Sequence, residues 1–396
     1  MEPVKISESI FLLSENDRRT HLFENFWPLP NGVAYNSYLI FDEKTVLIDT
    51  VEYGHSAQYF EDIAQILHGR SLDYLVINHM EPDHSGSIKS IIEKYPSCTI
   101  VGNQRTFPMI DGFFGINYNK KIINEGDVLE LGKHKLIFYM IPMVHWPETM
   151  ITYDSTTNIA FTGDAFGSFG SLDGGIFDDE INLHFYEDEM RRYYSNIVGK
   201  YGAQVQKALE KLSGLDIKML AATHGPIWRS DLKYIIDKYN YWSKYQAEEK
   251  GVIIAYGSMY GNTEKMADVI ARELSANGVK NIKIYDSSKT HISFIISDIW
   301  KYSGLILGSC AYNAGIFTPM GELINKLESY GIKNRHLALF GSSSWSGGGL
   351  KTLEKWAENM QLQTIGPKPE ARNSPKANDF EQCREIGRLM AEAILK

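Results

Sequence analysis

The stretch VINHMEPDHSGS, residues 76–87, places four potential metal ligands within six positions: His79, Glu81, Asp83 and His84. An apolar strand is expected to end in H-x-E-x-D-H. Its alternate side chains, His79 and Glu81, would then point toward one position, which Asp83 and His84 would reach from the following turn. Two histidines and two carboxylates packed so closely are difficult to explain as ordinary surface residues. The stretch therefore predicts a metal site, and it raises the question of why a carboxylate stands at position 81.

Further ligands are expected from distant strand ends, because four ligands in six residues cannot complete the coordination of two metal ions. Three residues follow apolar strands and precede Gly, Pro or a small residue: His145 in IPMVHWPET, Asp164 in AFTGDAFGS and His224 in MLAATHGPI. Taken singly, each is more often a structural residue, such as a turn or helix N-cap aspartate. Together with the 79–84 cluster, in this order, they indicate a metal centre. The remaining histidines lack such a setting and are interpreted as ordinary residues: His21, His55, His68, His134, His184, His291 and His336.

The composition is that of a globular protein with two domains. A chain of 396 residues, of which 43% are hydrophobic and 22% charged, exceeds one ordinary core. No apolar run approaches the roughly 18 residues that span a membrane, and no signal peptide is recognised, which predicts a cytoplasmic protein. Three widely spaced cysteines (Cys98, Cys310 and Cys383) predict neither a disulfide framework nor a thiolate cluster. The net charge of -9 argues against a nucleic-acid partner.

The pattern of the chain changes near residue 250. Before it, short strands alternate with turns and several strands end in His or Asp, which predicts sheets packed together with helices outside. After it, hydrophobic strands are separated by helical stretches, which predicts a parallel, doubly wound sheet. These strands are VIIAY (252–256), NIKIY (281–285), GLILG (304–308) and HLALFG (336–341). We therefore predict domains at 1–250 and 251–396, linked through a helical stretch over 230–250.

Three loops of the second domain are predicted to bind a flat, phosphorylated ligand. In IIAYGSMYGNTEKMA, backbone N–H groups, hydroxyls and a helix N-terminus meet at one position, which suits a phosphate monoester. Neither GxxxxGK[ST] nor GxGxxG is present, so a nucleoside triphosphate or a dinucleotide is disfavoured. The loops GSCAYNAG (308–315) and FGSSSWSGGG (340–349) follow two further strands, where Tyr312 and Trp345 could stack on a ring or, alternatively, serve as a loop anchor and a core residue. The candidate contacts are Ser258, Met259, Tyr260, Gly261, Asn262, Thr263, Ser309, Ala311, Tyr312, Asn313, Ser343, Trp345 and Gly347.

The ligand order H-x-E-x-D-H, His, Asp, His resembles the metallo-β-lactamase-like framework in the form carried by flavodiiron proteins, and the three loops of 251–396 resemble flavodoxin. In this order the two resemblances span the chain and match A-type flavodiiron proteins. The implied fold is an N-terminal metallo-β-lactamase-like αββα sandwich followed by a flavodoxin-like doubly wound parallel sheet. The hydrolase form has H-x-H-x-D-H and usually binds zinc. A carboxylate at position 81 hardens the site and adds negative charge, which suits iron.

The resemblance also implies cofactors, ligands and a reaction. One iron would be held by His79, Glu81 and His145, the second by Asp83, His84 and His224, with Asp164 bridging them. The equivalent of His84 is displaced by water in parts of the family. FMN would occupy the three loops and pass electrons from an external donor, commonly rubredoxin, to the irons, where O2 is reduced to water or NO to N2O. The three cysteines leave no rubredoxin module in this chain.

Distance imposes a further expectation, because the centres of two such domains, taken as spheres, lie roughly 40 Å apart. The resemblance implies a head-to-tail homodimer, or a dimer of dimers, in which the flavin of one subunit faces the irons of the other. Two alternatives stay open. One is a zinc-dependent hydrolase with an accessory flavodoxin domain, against which Glu81 counts. The other is an electron carrier with an inactive metal domain, against which the complete ligand set counts. Tyr193 and Tyr194 are candidates for residues beside the metals, or else ordinary helix-packing residues.

Overall fold

The computed structural model describes residues 2–396 and divides into two compact units, one ending at Asn240 and one spanning Tyr241–Lys396. This division lies before the boundary expected at residue 250, and the exact limits of the two domains stay a prediction. Within the described residues, no helix combines the length and the apolar character needed to cross a membrane.

The first unit contains fourteen strands and most of seven helices. The strands are β1 (Val4–Lys5), β2 (Ile10–Asp17), β3 (Leu22–Phe23), β4 (Trp27–Pro28), β5 (Val33–Ile40), β6 (Val46–Ile48), β7 (Tyr74–Val76), β8 (Thr99–Gly102), β9 (Asn119–Ile122), β10 (Val128–Glu130), β11 (Lys135–Met140), β12 (Met150–Asp154), β13 (Ile159–Gly163) and β14 (Met219–Ala222). The helices are α1 (Ser56–Leu67), α2 (Pro82–Ser85), α3 (Ile88–Lys94), α4 (Thr106–Phe114), α5 (Glu187–Tyr193), α6 (Gly202–Leu212) and α7 (Leu232–Ser243).

Two sheets of this unit pack against each other. The first has the order β1-β2-β5-β6-β7-β8-β9 and the second the order β10-β11-β12-β13-β14. Apolar side chains from both sheets, such as Leu12 and Val76 from the first and Phe138 and Phe161 from the second, form one buried cluster. Strands β6 to β9 are parallel, as are β13 and β14, so the loops after β7, β13 and β14 follow the carboxyl ends of parallel strands.

Strand β7 is shorter than the sequence suggests. It ends at Val76, and the residues of the opening motif lie in an irregular loop and in the one-turn helix α2. Pro82 at the first helical position fixes where this helix begins, and Glu81 takes the N-cap position with extended backbone. The expectation that a continuous strand carries His79 and Glu81 is therefore wrong, and a loop followed by a helical turn brings the ligands together instead.

The second unit is a parallel sheet with helices between its strands. Its strands are β15 (Glu249–Gly257), β16 (Ile282–Asp286), β17 (Tyr302–Tyr312), β18 (Gly315–Ile316), β19 (His336–Ser343) and β20 (Glu370–Arg372), and its helices are α8 (Asn262–Ala276), α9 (Ile292–Lys301), α10 (Thr318–Tyr330), α11 (Gly349–Asn359) and α12 (Ala377–Leu395). The strand order β16-β15-β17-β19-β20 is that of a flavodoxin-like doubly wound sheet. Helix α8 begins at Asn262, within the stretch IIAYGSMYGNTEKMA in which a helix N-terminus is predicted. Ile254, Ile306 and Phe340 belong to its buried core.

Candidate metal centre and cofactor loops

The seven predicted metal ligands come from four separate segments that meet in the first unit. Four of them lie between β7 and the end of α2, His145 lies in the loop between β11 and β12, and Asp164 and His224 follow β13 and β14. Backbone contacts fix the first segment, because Thr50 N–H and its hydroxyl both donate to the carbonyl oxygen of His84. The structure therefore brings together all the residues predicted from the sequence to bind metal.

One cluster contains His79, Glu81, His145 and Asp164. His145 Nε2 lies 2.9 Å from Glu81 Oε2 and 3.1 Å from Asp164 Oδ2. His79 Nε2 lies 3.4 Å from the same Glu81 oxygen and 3.6 Å from the same Asp164 oxygen. Two imidazole nitrogens and two carboxylate oxygens thus face one position, which is a donor set that suits a divalent transition metal.

The second cluster contains Asp83, His84, His224 and the other oxygen of Asp164. His84 Nε2 lies 3.2 Å from Asp164 Oδ1, and His224 Nε2 lies 3.6 Å from it. Asp83 reaches both histidines, with Oδ1 at 3.5 Å from His84 Nε2 and Oδ2 at 3.0 Å from His224 Nε2. Since Asp164 presents Oδ2 to the first cluster and Oδ1 to the second, its position is that of a bridging ligand.

The residues of both clusters fit metal ions, because many of their buried polar atoms have no other partner. Within residues 2–396, no hydrogen bond satisfies His79 Nε2, His84 Nε2, His224 Nε2 or either carboxylate oxygen of Asp83. Buried polar atoms without a partner are rare and costly in folded proteins. Metal ions bound in the two clusters would satisfy these atoms.

Electrostatics in the two clusters favours bound cations. Burial alone would lower the pKa of His84, but the charges of Asp83 and Asp164 outweigh it and raise this pKa to about 10. For Asp164, burial acts to raise the pKa, and the neighbouring His84 and His145 hold it well below its usual range. These surroundings favour a protonated His84 and an ionised Asp164. Metal binding has to displace the proton of His84, so metal affinity falls as the pH falls.

Three supporting groups were not found by sequence reasoning. Glu148 Oε1 accepts a hydrogen bond from His79 Nδ1 at 2.7 Å, and the carbonyl oxygen of Ala34 accepts one from His224 Nδ1 at 2.8 Å. The Thr223 hydroxyl donates to Asp164 Oδ1 at 2.7 Å. Such partners orient metal ligands and select the ring nitrogen that faces the metal. The only sequence signal for Glu148 was its place three residues after His145.

A cavity of about 760 Å³ reaches the metal clusters from the surface. Glu81 and Asp83 line it, together with Leu22, Phe23 and Glu24 from the hairpin of β3 and β4. Phe23 packs edge-on against the His224 ring, with centroids 5.5 Å apart. The hairpin thus supplies an apolar cover beside the cavity.

The two tyrosines singled out in the sequence occupy different surroundings. Tyr193 ends α5, is fully buried, and has its ring centroid 5.6 Å from that of His224. Its hydroxyl has no hydrogen-bond partner within residues 2–396. Tyr194 begins a π-helical turn, Tyr194–Val198, and packs against Tyr239. Tyr193 therefore contacts the ring of a predicted ligand.

In the second unit, the three predicted cofactor loops follow β15, β17 and β19 at one edge of the sheet. Among the described residues, four large apolar side chains on these loops are exposed: Tyr260 (87%), Trp345 (76%), Tyr312 (45%) and Met259 (39%). The second and third loops touch, since a side chain at Gly348 would lie 2.3 Å from the carbonyl oxygen of Ala314. Exposed aromatic rings beside two loops whose backbones lie close together are suited to binding a planar ligand.

The other candidate contacts differ in accessibility. Ser258, Gly261, Asn262, Ala311 and Ser343 are partly buried, whereas Asn313 and Gly347 are exposed. Thr263 and Ser309 are fully buried, and their hydroxyls bond inside the protein, to Ser342 Oγ and to the carbonyl oxygen of Cys310. At Thr263 and Ser309, a ligand would therefore meet backbone groups rather than the hydroxyls.

Comparison with known proteins agrees with both halves of this description. Residues 33–225 match the ODP family beta lactamase, and residues 254–387 match flavodoxin. A nitric oxide reductase of Moorella thermoacetica is 33% identical over 99% of this chain and 99% of its own length. The structure of rubredoxin oxygen:oxidoreductase from Desulfovibrio gigas gives a TM-score of 0.95 at 30% identity, covering 100% of this chain and 99% of that one. A mutant flavo di-iron protein of Thermotoga maritima gives 0.91 at 26% identity, with 99% and 98% coverage.

This chain belongs to the flavodiiron protein family.

Membership confirms the predicted fold class, a β-lactamase-like sandwich followed by a flavodoxin-like parallel sheet. It also makes this flavodiiron protein an oxidoreductase and disfavours the zinc hydrolase alternative. The individual metal ligands and the loop contacts stay predictions, supported by the geometry of the two clusters and of the three loops.

Proposed function

We propose that this flavodiiron protein reduces O2 to water, or NO to N2O, with electrons that an external donor supplies through FMN to two irons. The observation that carries the proposal is the pair of clusters joined by Asp164, with one of its oxygens facing each cluster. Two redox ions at adjacent positions are what a reaction on a diatomic gas needs, because electrons must reach both atoms of one O2 or two NO molecules together.

Each cluster has a distinct set of ligands in the proposal. His79, Glu81 and His145 would hold one iron, Asp83, His84 and His224 the other, and Asp164 both. The irons, when bound, would supply electrons by cycling between Fe(II) and Fe(III). Glu81 supports iron over zinc, since an additional hard anionic ligand stabilises the ferric state.

The surrounding residues would admit the gas and restrict water. The cavity beside Phe23 gives access to Glu81 and Asp83, while Phe23 itself and Trp146 pack against ligand rings. The Tyr193 hydroxyl would donate a hydrogen bond to the gas as negative charge develops on it, since no protein group within residues 2–396 uses that hydroxyl.

FMN is the proposed ligand of the three loops in the second unit. Gly261 has a φ of +82° immediately before α8, so its backbone turns the N–H groups of the helix start toward the loop. That arrangement suits the phosphate of FMN, while the exposed rings of Tyr312 and Trp345 suit its flat ring system.

The proposed electron donor is rubredoxin, which the name of the Desulfovibrio gigas relative supports. A head-to-tail homodimer, or a dimer of such dimers, would place the FMN of one subunit beside the irons of its partner. A cytoplasmic location completes the proposal, and cell fractionation tests it. Light scattering of the purified protein tests the assembly, and an active monomer would contradict it.

A metal and gas-uptake experiment tests the reaction. The protein, purified and reconstituted without oxygen, is expected to hold two irons and one FMN per chain and to consume O2 or NO when a reduced rubredoxin is supplied. Asp164→Ala is expected to keep FMN but lose gas uptake. Two zinc ions and no uptake of either gas would contradict the proposal. Stopped-flow mixing with each gas then establishes which one reacts faster.

A further inference from the structure

The two halves of the metal centre are supported by groups of different charge. In the first cluster, His79 Nδ1 donates to the carboxylate of Glu148, whose Oε1 also accepts from Met80 N–H at 2.9 Å. In the second cluster, His224 Nδ1 donates to a neutral carbonyl, that of Ala34. His84 Nδ1 has no hydrogen-bond partner anywhere in residues 2–396. Only the first cluster therefore has an anion bonded behind one of its histidines.

Glu148 is poorly explained as a structural residue. Its side chain is 1% exposed, and Oε2 is buried with no hydrogen-bond partner in the described chain. A buried, charged carboxylate with one unsatisfied oxygen destabilises a fold unless another interaction uses its charge.

A structural carboxylate–histidine pair elsewhere in the same unit provides a comparison. His134 Nδ1 lies 2.8 Å from Asp154 Oδ2, a separation close to that of the Glu148 pair. In that pair, the Thr157 hydroxyl and the Thr156 backbone N–H also donate to the carboxylate. The Ser9 hydroxyl lies 2.6 Å from the remaining ring nitrogen of His134. All its polar atoms are thus satisfied, whereas His79 Nε2 and Glu148 Oε2 are not. The Glu148 pair differs because its free imidazole nitrogen faces a metal cluster.

A carboxylate behind a metal-binding histidine makes the imidazole a more basic ligand. A more basic ligand stabilises Fe(III) relative to Fe(II), because the ion with the higher charge gains more from electron donation. In the first cluster, Glu148 would make His79 a more basic ligand, and Glu81 adds a negatively charged ligand. The second cluster has the anionic ligand Asp83, but within residues 2–396 no carboxylate is hydrogen-bonded to the Nδ1 atom of His84 or of His224.

We propose that Glu148 is a positioning residue that makes the two irons unequal, so that the iron held by His79, Glu81 and His145 is the first to be oxidised and the last to be reduced. The inference rests on the proposed diiron site. When a chemical oxidant takes one electron from the reduced centre, the electron would come from that iron, and the iron that Asp83, His84 and His224 would hold would remain Fe(II).

Charge-neutral and charge-preserving substitutions separate this role from a structural one. Glu148→Gln keeps an oxygen that accepts from His79 and Met80 but removes the charge, whereas Glu148→Asp keeps the charge. Mutation of a residue that hydrogen-bonds to a metal ligand typically lowers metal affinity or activity by about 10- to 100-fold. A tenfold weaker preference for Fe(III) raises the potential of a one-electron couple by about 59 mV. Asp154→Asn is the matched control, because it removes the equivalent charge from the His134 pair.

The experiment is an anaerobic redox titration of each reconstituted variant, followed by the EPR signal of the half-oxidised centre, with iron content measured on the same samples. The expected result is a rise of about 59 mV for the first oxidation of Glu148→Gln and no comparable rise for Glu148→Asp or Asp154→Asn. An unchanged potential in Glu148→Gln, or an equal rise in both Glu148 variants, would overturn the inference. If the unmodified protein holds two irons and consumes gas, the proposed function stands whatever the Glu148 variants show. If it holds zinc instead of iron, the proposed function itself is contradicted.

Discussion

Thr223→Val removes one hydrogen bond from the residue that joins the two metal clusters. The Thr223 hydroxyl is buried and donates to Asp164 Oδ1 at 2.7 Å, and this oxygen faces His84 and His224. Valine resembles threonine in shape, so the substitution removes the donor and opens little space. The change therefore acts on the orientation and charge of the Asp164 oxygen that would bind the second metal.

The size of the effect follows from the charge of the acceptor. A hydrogen bond to a charged group contributes about 1.5–3 kcal/mol, and about 1.4 kcal/mol corresponds to a factor of ten in an equilibrium constant. We therefore expect Thr223→Val to weaken binding of the second iron by roughly ten- to hundredfold. The first iron, which Asp164 would hold through Oδ2, should be affected much less.

A chromophoric Fe(II) chelator, added without oxygen, would measure this effect as the amount and order of iron release. Thr45→Val is the matched control. Its buried hydroxyl also lies near a carboxylate, that of Asp73 at 3.2 Å, but at the opposite end of β6 and β7 from the ligands. Thr45→Val is expected to lower thermal stability without changing iron release. Release of both irons from Thr223→Val at the unmodified rate would refute the reasoning.

Three further predictions follow from side chains with unusual surroundings. Tyr193→Phe should leave iron content unchanged and thermal stability unchanged or slightly improved, because the hydroxyl has no hydrogen-bond partner within residues 2–396. The same variant should consume gas about tenfold more slowly. An unchanged rate would contradict the proposed hydrogen bond from Tyr193 to the gas. Burial acts to raise the pKa of Asp154, but the hydrogen bond from His134 prevails and holds this pKa below its usual 3.8. The carboxylate therefore stabilises the protein above that pH, and the stabilisation is lost on acidification. Urea unfolding at several pH values should show that Asp154→Asn loses less unfolding free energy on acidification than the unmodified protein, and an equal loss would contradict this prediction. Gly261→Ala, at φ +82° before the start of α8, should weaken FMN binding about tenfold in a fluorescence titration. The control Gly278→Ala, at φ +90° beyond the far end of α8, should lower stability without changing FMN affinity. Equal FMN affinities in the two variants would argue against a phosphate group bound at the start of α8.

The residues of the candidate metal centre could be picked out from the sequence because histidine and carboxylate side chains are of distinctive type. His145, Asp164 and His224 each follow an apolar strand, and the structure brings them to the 79–84 segment. Their partners could not be identified in the same way. The group behind His224 is a backbone carbonyl, which every residue possesses, so nothing in the residue type of Ala34 indicates it.

The details of local backbone were also beyond sequence reasoning. The hairpin that covers the metal cavity turns through Glu24 and Asn25, both with positive φ and neither a glycine, so it lacks the usual sequence signature of such a turn. The two neighbouring tyrosines illustrate the same limit. A helical turn directs Tyr193 toward His224 and Tyr194 toward Tyr239, and only the position of the helix determines which is which.

The parallel sheet of the second unit was easier to predict, because buried parallel strands are continuous apolar runs separated by helices. The strand β20, with only three residues and one buried side chain, escaped detection. Short edge strands depend on pairing with a neighbour, here β19, and not on their own composition.

A single-turnover measurement tests the central claim most directly. The protein, loaded with iron and FMN and fully reduced without oxygen, is mixed rapidly with a substoichiometric amount of O2 or of NO while the flavin absorbance and the gas concentration are followed. We expect at least one gas to disappear as the flavin becomes oxidised, without release of peroxide, and Asp164→Ala to abolish the reaction. A flavin that stays reduced while neither gas is consumed, in protein shown to hold two irons per chain, would contradict the account.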